Sequence, residues 1–275
     1  MGGGGAAGSR PATRVLLVDA LNLIRRVYAA QPGEDGPERV EAGRAACGQS
    51  LERALRECSP THAAAVFEGP GATWRHRLFA GYKAGHRPMP EALRAGLPAY
   101  EETFFRLGVR SLRLSGREAD DVIATLAVKV EKAGGEAVIL STDKIFLQLL
   151  SRRVSVRDHF GRRDLDGSYV LRRFGVPPES FVDYLALAGD ATNGVAGVAG
   201  VGPKTAAMLL ADCDSLDGAL AAAAAGGGAT AVSPKLAARL RTQADAARLA
   251  RSLVRLETDL ELGIRLKSLR CVAGA

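Results

Sequence analysis

The sequence predicts an α/β fold, a doubly wound and mainly parallel sheet, followed by a smaller helical domain. Three observations lead there. VLLVD (15–19), AAAVFE (63–68) and AVILSTD (137–143) are continuous apolar runs that end in an acid, the pattern of strands buried on both faces. The stretches between them, including 41–57 and 92–107, space their apolar residues helically, and strands alternating with helices build a parallel sheet. Beyond Asp166 the alternation stops and the chain reads as helix.

In chain order, residues 1–12 are rich in Gly and Ala, lack the apolar stretch of a signal peptide and read as a disordered leader. The α/β domain is placed at 13–165, closing with a short strand at 154–157 (VSVR). From Tyr169 helix is expected, broken by the glycine-rich stretch 189–202. AAAAAGGG (221–228) is low-complexity and reads as a flexible insertion or frayed helix end. Helix resumes over 234–253; the helical domain is placed at 166–265 and a tail at 266–275.

Composition narrows the class. With 275 residues, 47% of them hydrophobic, the chain can bury a sizeable core and is not disordered throughout. Its 4 cysteines (Cys47, Cys58, Cys213, Cys271) form no C-x-x-C pair, which favours free thiols in a reducing compartment over a disulfide scaffold. No apolar run approaches the roughly 20 residues of a membrane span. Thirty-seven Lys and Arg against 30 Asp and Glu give +7, a balance that suits a polyanionic partner and also plain solubility. Aromatic residues, at 5%, are too few for a base-stacking platform.

The strand-end acids are the first candidate site. Asp19, Glu68 and Asp143 each follow an apolar run, and in an open α/β sheet ligands sit outside the carboxyl ends of the strands. Acids gathered there repel one another unless a cation lies among them. Each could instead cap the helix that follows. A second cluster, SGREADD (115–121), precedes an apolar helix. Ser115 and Glu118 fit a capping box, and Asp120 and Asp121 suit the helix dipole. Three acids in four residues exceed what capping needs. Glu118 and Asp121 share a helix face with Asp120 beside them, an all-oxygen set suited to Mg²⁺ or Mn²⁺ and to phosphoryl-transfer chemistry. None of the four histidines has metal-ligand spacing.

VLLVDALNLIRRVYA (15–29), WRHRLFAGYKAGHRPMP (74–90), SGREADDVIATLA (115–127), STDKIFLQLL (141–150) and LAGDATNGVAGVAGVGPKTA (187–206) occur in this order. Together they resemble the bacterial 5′-nuclease family, the 5′–3′ exonuclease domain of DNA polymerase I and the flap endonucleases. Within it they are most similar to the short stand-alone Xni (exonuclease IX) subfamily. The resemblance implies a PIN/resolvase-like α/β domain and a C-terminal domain with a helix–three-turn–helix DNA-binding motif. It places Asp19, Glu68, Glu118, Asp120, Asp121, Asp143 and Asp190 on metal-site carboxylates, with Asp120 the foremost Mg²⁺ ligand. Residues 74–90 resemble an arch over the active site, where Arg75, Arg77, Tyr82, Lys83 and Arg87 would meet phosphates. A solvated basic loop is the plainer reading of the same stretch.

The segment Gly200, Val201, Gly202, Pro203, Lys204 and Thr205 resembles the family's phosphate-anchoring turn. Its small residues let backbone amides approach a phosphate without reading bases. The resemblance also implies K⁺ held by the carbonyls of Leu187, Ala188, Ala196, Val198 and Val201. The implied activity is Mg²⁺-dependent hydrolysis of 5′-flap or branched DNA by a cytoplasmic, nucleoid-associated bacterial monomer. No membrane and no small-molecule cofactor are expected. Three departures stand out. Glu68 replaces the usual Asp, Ile145 stands where the fuller pattern has an acid, and so does Asn193. They weaken the second metal subsite and keep two other readings open, a DNA-junction-binding protein of reduced activity and a PIN-type RNase.

Overall fold

The computed structural model describes residues 13–226 and 232–271. The expected leader, part of the low-complexity stretch at 221–228 and the last four residues lie outside it. β1 (Arg14–Asp19), α1 (Ala20–Ala30), α2 (Pro37–Cys58), β2 (His62–Val66), α3 (Trp74–Leu78), α4 (Glu91–Arg106) and β3 (Arg110–Leu112) form the first part of the chain. α5 (Ala119–Lys132), β4 (Glu136–Leu140), β5 (Val154–Asp158) and β6 (Arg163–Leu165) complete the sheet. Helices follow: α6 (Gly167–Phe174), α7 (Phe181–Ala188), α8 (Pro203–Cys213), α9 (Leu216–Ala224), α10 (Pro234–Thr242) and α11 (Ala244–Val254).

The six strands run in the order β3-β2-β1-β4-β5-β6. β1 to β5 are parallel, and β6 is antiparallel to β5. The chain winds outward from β1 through β2 to β3, then returns to the other side of β1 for β4. The direction of winding therefore reverses between β1 and β4, and the crevice outside their carboxyl ends is where this topology receives ligands.

Both faces of the sheet are covered, which is why its strands read as unbroken apolar runs. Leu16 and Val18 pack against Leu23, Ile24, Leu51, Tyr100 and Phe104 of α1, α2 and α4. Val15 and Leu17, on the opposite face, join Ile123 and Ala127 of α5. That second core continues into Phe181, Leu185, Leu209 and Leu253, so the helical unit and the sheet share one apolar interior.

Four elements differ from the sequence expectation. β3 and β6 are only three residues each, with charged side chains among them, and carry no apolar run that could announce a strand. The helix expected over 234–253 is broken at Gln243, whose backbone leaves helical geometry and whose Oε1 accepts the Ala199 amide at 2.8 Å. The stretch expected as tail from 266 belongs to the body as far as Cys271. A 3-10 turn at Leu266–Leu269 buries Leu269, and the Cys271 amide donates to the Thr61 carbonyl at 3.0 Å.

Candidate active site and nucleic-acid interface

The capping and cation readings of the strand-end acids turn out to be compatible. Asp19 caps α1, its Oδ1 accepting the Asn22 amide at 3.2 Å, while its Oδ2 accepts the Ser141 hydroxyl at 2.8 Å. Asp143 caps the 3-10 turn at Lys144–Leu149 through the Ile145 amide, at 2.9 Å. Glu68 accepts the Ala119 amide at 2.9 Å and so caps α5 from another strand. The capping box expected from Ser115 and Glu118 does not form, because Glu118 is itself the N-cap residue and its side chain is engaged elsewhere.

These acids also act on one another. Burial pushes Asp19 up to about 7, and the charges of Asp143 and Glu68 add to the shift. Asp120, in the first turn of α5, is raised well above an ordinary carboxylate by burial; Lys83 pulls it back, while Asp19, Asp143 and Glu68 push it further up. Burial likewise raises Asp143, assisted by Asp190, and raises Glu68. Asn22 and Ser141 hold this cluster together. The Asn22 side chain accepts both the amide and the hydroxyl of Thr142, and the Ser141 hydroxyl accepts the Asp143 amide at 3.0 Å. Sequence reasoning missed both residues; their only signal was position beside the acids.

Glu118 and Asp121 do share a face, as their spacing implied, but the cation they share is Arg75. Its guanidinium grips Asp121 at 2.7 and 2.8 Å and lies 3.2 Å from Glu118. It also donates to the carbonyls of Leu253 (2.8 Å) and Arg255 (2.7 Å). Arg75 is 1% exposed and Asp121 0%, so this pair is a structural tie between α3, α5 and the end of α11. The expected phosphate contact by Arg75 is corrected accordingly. Tyr82 is corrected in the same way: it is buried and its hydroxyl donates to Glu118 at 3.1 Å. Thr73 donates to the other Glu118 oxygen at 2.9 Å. With both oxygens occupied, Glu118 and Asp121 serve the protein rather than an open ligand position.

Lys83 is the ammonium at the centre. Its Nζ lies 2.8 Å from Glu118, 3.9 Å from Asp120 and 4.0 Å from Glu68. Burial opposes its charge, yet Asp120, Glu118 and Glu68 hold it well above the usual lysine value. Burial also opposes ionisation of Glu118, but Lys83 and Arg75 bring that acid down to about 2. Arg77 and Arg87, from the same basic stretch, are exposed. The Arg87 carbonyl accepts Arg25 of α1 at 2.8 Å, which brings a further basic side chain beside them.

The glycine-rich hairpin lies between α7 and α8. The Val198 amide donates to the Leu187 carbonyl and the Val201 amide to the Val198 carbonyl, each at 2.9 Å. Gly197 is packed so closely against the end of α7 that a Cβ would come within 2.4 Å of the Leu187 oxygen. Gly200 turns the chain with φ +80°, and Gly202 and Pro203 start α8. The Lys204 and Thr205 amides fall in the first helical turn, where no intrahelical acceptor exists, and the Lys204 side chain is exposed.

The donor set is chemically suited to a hard divalent cation: carboxylate oxygens only, with their affinity for protons raised first by desolvation and further by neighbouring carboxylates. Among the described residues no group of three or more His, Cys, Asp or Glu side chains is already placed to hold a metal ion. One consequence is a stability trend. Asp19, Asp120, Asp143 and Glu68 bind protons more readily folded than unfolded, so their contribution is greatest at low pH and is lost as pH rises through their folded values. Glu118 acts oppositely, and its contribution is lost as pH falls from the ordinary 4.5 towards about 2. Metal-free protein is therefore expected to melt higher at pH 5 than at pH 7.5, and Mg²⁺ should flatten the trend. A calorimetric Tm that rises steadily with pH across this interval would refute the account.

Buried acids around a fixed ammonium suit cleavage of a phosphodiester, and the neighbouring hairpin suits holding a duplex by its phosphates. The class these features define is a nuclease, a hydrolase. Residues 14–175 match the N-terminal resolvase-like domain of the 5′–3′ exonucleases and residues 176–274 their C-terminal SAM fold, so the chain belongs to the 5′–3′ exonuclease family.

Solved structures share the fold. T5 5′-exonuclease with bound divalent zinc is 20% identical over 89% of this chain and 90% of its own, with a TM-score of 0.71. The bacteriophage T5 flap endonuclease, in a pseudo-enzyme–product complex with DNA and metal ions, is 19% identical over 89% and 90%, with a TM-score of 0.69. The catalytic core of Rad2 in complex with DNA substrate is 13% identical over 92% and 84%, with a TM-score of 0.57. Among the described residues no helix is long and apolar enough to cross a membrane.

Proposed function

We propose that this nuclease is a structure-selective, Mg²⁺-dependent flap endonuclease and 5′–3′ exonuclease acting on 5′-flap or branched DNA without sequence preference. The observation that carries the reading is the placement of Lys83 among Asp120, Glu118 and Glu68 at the ligand-receiving end of the sheet, with Asp19 and Asp143 alongside. Asp120, Asp19, Asp143 and Glu68 are the residues that would hold Mg²⁺, or Mn²⁺ in its place. A bound divalent ion supplies Lewis acidity towards a phosphoryl oxygen and a water nucleophile at neutral pH. Lys83, kept protonated by its acidic neighbours, is placed to donate to a phosphate oxygen. Glu118 fixes the direction of that ammonium. Arg87 and Arg77, both exposed, meet neighbouring phosphates, Arg87 in the bidentate manner open to a guanidinium.

The hairpin anchors the duplex through the amides at the start of α8 and through Lys204. The carbonyls of Leu187, Ala188, Ala196, Val198 and Val201 are the candidate K⁺ ligands. Those of Leu187 and Val198 each already accept one amide and retain one lone pair. Lys204→Ala is expected to weaken duplex binding equally across sequences and to reduce the slope of log affinity against log salt by about 0.9. Fluorescence anisotropy over a salt series measures both. A base-dependent loss, or an unchanged slope, would remove Lys204 from the interface.

The decisive assay incubates the full chain and Mg²⁺ with a labelled 5′-flap DNA and its RNA counterpart. Cleavage of DNA near the branch supports the reading. Cutting of RNA alone would point to a PIN-type RNase, and a gel shift without cutting to a junction-binding protein.

A further inference from the structure

Asp190 lies on a position where the resemblance implies a metal-site carboxylate, yet its surroundings give it other work. It is 0% exposed and both of its oxygens are taken. Oδ1 sits 3.0 Å from the Lys144 ammonium and accepts the Thr192 amide at 3.2 Å, while Oδ2 accepts the Asn193 side-chain amide at 2.7 Å. The main chain of Asp190 exchanges two hydrogen bonds with Val195, at 2.8 and 2.9 Å. These contacts close the turn at Ala191–Asn193, and Gly194, with φ +67°, brings the chain back. A divalent cation at Asp190 would have to displace the Asn193 amide and face the Lys144 ammonium at close range, which costs repulsion in a buried site.

The outer side of the same turn holds the basic stretch. The Asn193 carbonyl accepts the Lys83 amide at 3.1 Å, and the Thr192 carbonyl lies 2.5 Å from His86 Nε2, which must therefore carry the proton. Lys83 needs such support. Its φ of +54° puts a residue with a Cβ in the left-handed region, which the chain adopts only where its surroundings impose it. The turn lies inside the glycine-rich stretch 189–202, ahead of Gly197 and Gly200.

We propose that Asp190 is a positioning residue: with Lys144 and Asn193 it builds a brace that holds Lys83 in place and ties that placement to the loop leading into the duplex-anchoring hairpin. The brace puts Asn193 to use, one of the residues by which this chain departs from the fuller family pattern. A second such residue, Ile145, is buried in the core beside α5 and offers no oxygen. The proposal rests on the nuclease reading for its kinetic consequences, but the brace itself can be observed without turnover.

The test compares the full chain with Asp190→Asn, Asn193→Ala and His86→Ala. It uses single-turnover cleavage of the 5′-flap DNA across a Mg²⁺ titration, together with hydrogen exchange resolved at the Lys83 amide. His86→Ala alters only an exposed contact and keeps the test open if a buried substitution prevents folding. The expected result is a slow-exchanging Lys83 amide in the unaltered chain and faster exchange in each variant. The maximal rate should fall, by on the order of 10²-fold for the two buried substitutions, the cost of an ångström-scale misplacement. DNA affinity and the Mg²⁺ concentration at half-maximal rate should stay unchanged. The proposal is overturned if Asp190→Asn raises that Mg²⁺ concentration tenfold while its rate recovers at saturation and Lys83 stays protected. Fast exchange of Lys83 in the unaltered chain would also overturn it. If no chain cleaves the flap but the exchange pattern holds, the nuclease reading fails and the brace stands.

Discussion

Asp120→Ala is expected to lower flap cleavage by about 10³-fold while leaving flap binding measurable, because on the proposed function it removes a carboxylate that would hold the ion against the reacting phosphate. The hairpin and the exposed arginines are untouched by the substitution, so the DNA should still dock. A second signature follows from the electrostatics. Asp120 is pushed up by burial and by Asp19, Asp143 and Glu68, so removing it relieves repulsion in the metal-free protein. The variant should then gain less from Mg²⁺ in a melting experiment than the unaltered chain does, since ligand stabilisation scales with affinity for the folded state. Single-turnover cleavage at saturating Mg²⁺ and a paired Tm titration read both effects. Undiminished cleavage would dismiss the assignment of Asp120, whatever the melting curves show.

Arg75→Ala should be the most damaging single change to stability. It leaves Asp121 buried without its guanidinium, weakens the support of Glu118, and orphans the carbonyls of Leu253 and Arg255. Breaking a buried ion pair from one side costs about 3–5 kcal/mol, equivalent to a fall in Tm of roughly 6–20 °C for a chain of this size. The attribution can be separated from simple loss of volume. Arg75→Met combined with Asp121→Leu removes both charges and should recover much of the loss, because the cost lies in the unpaired carboxylate. Denaturant unfolding of the single and double variants decides the matter. A double variant no more stable than Arg75→Ala would place the damage in packing instead.

Arg75 also shows why the basic stretch was only partly legible. Arg75, Arg77 and Arg87 are the same residue type within thirteen positions, and nothing local separates the one that turns inward from the two that face solvent. The difference is made by Asp121, 46 residues away, and by carbonyls some 180 residues away. Asp120 and Asp121 pose the same problem in adjacent positions. Consecutive helical residues point about 100° apart, so one faces the strand ends and the other faces Arg75. The spacing of Glu118 and Asp121 led to the expectation of a divalent cation, and the structure puts the Arg75 guanidinium there instead.

By itself the sequence determined the alternating α/β core, because strands buried on both faces must be apolar throughout and helices between them must carry one apolar stripe. It also determined that acids stand at the strand ends and that a glycine-rich turn precedes a helix start, since both are properties of contiguous residues. The tertiary structure alone decided which acids crowd against one another and which are tied to a cation. Asp19, Asp120 and Asp143 repel one another across three elements, whereas Glu118, Asp121 and Asp190 are neutralised by Arg75, Lys83 and Lys144. A carboxylate's role follows from its nearest cation and its access to water, and folding sets both through contacts far apart along the chain.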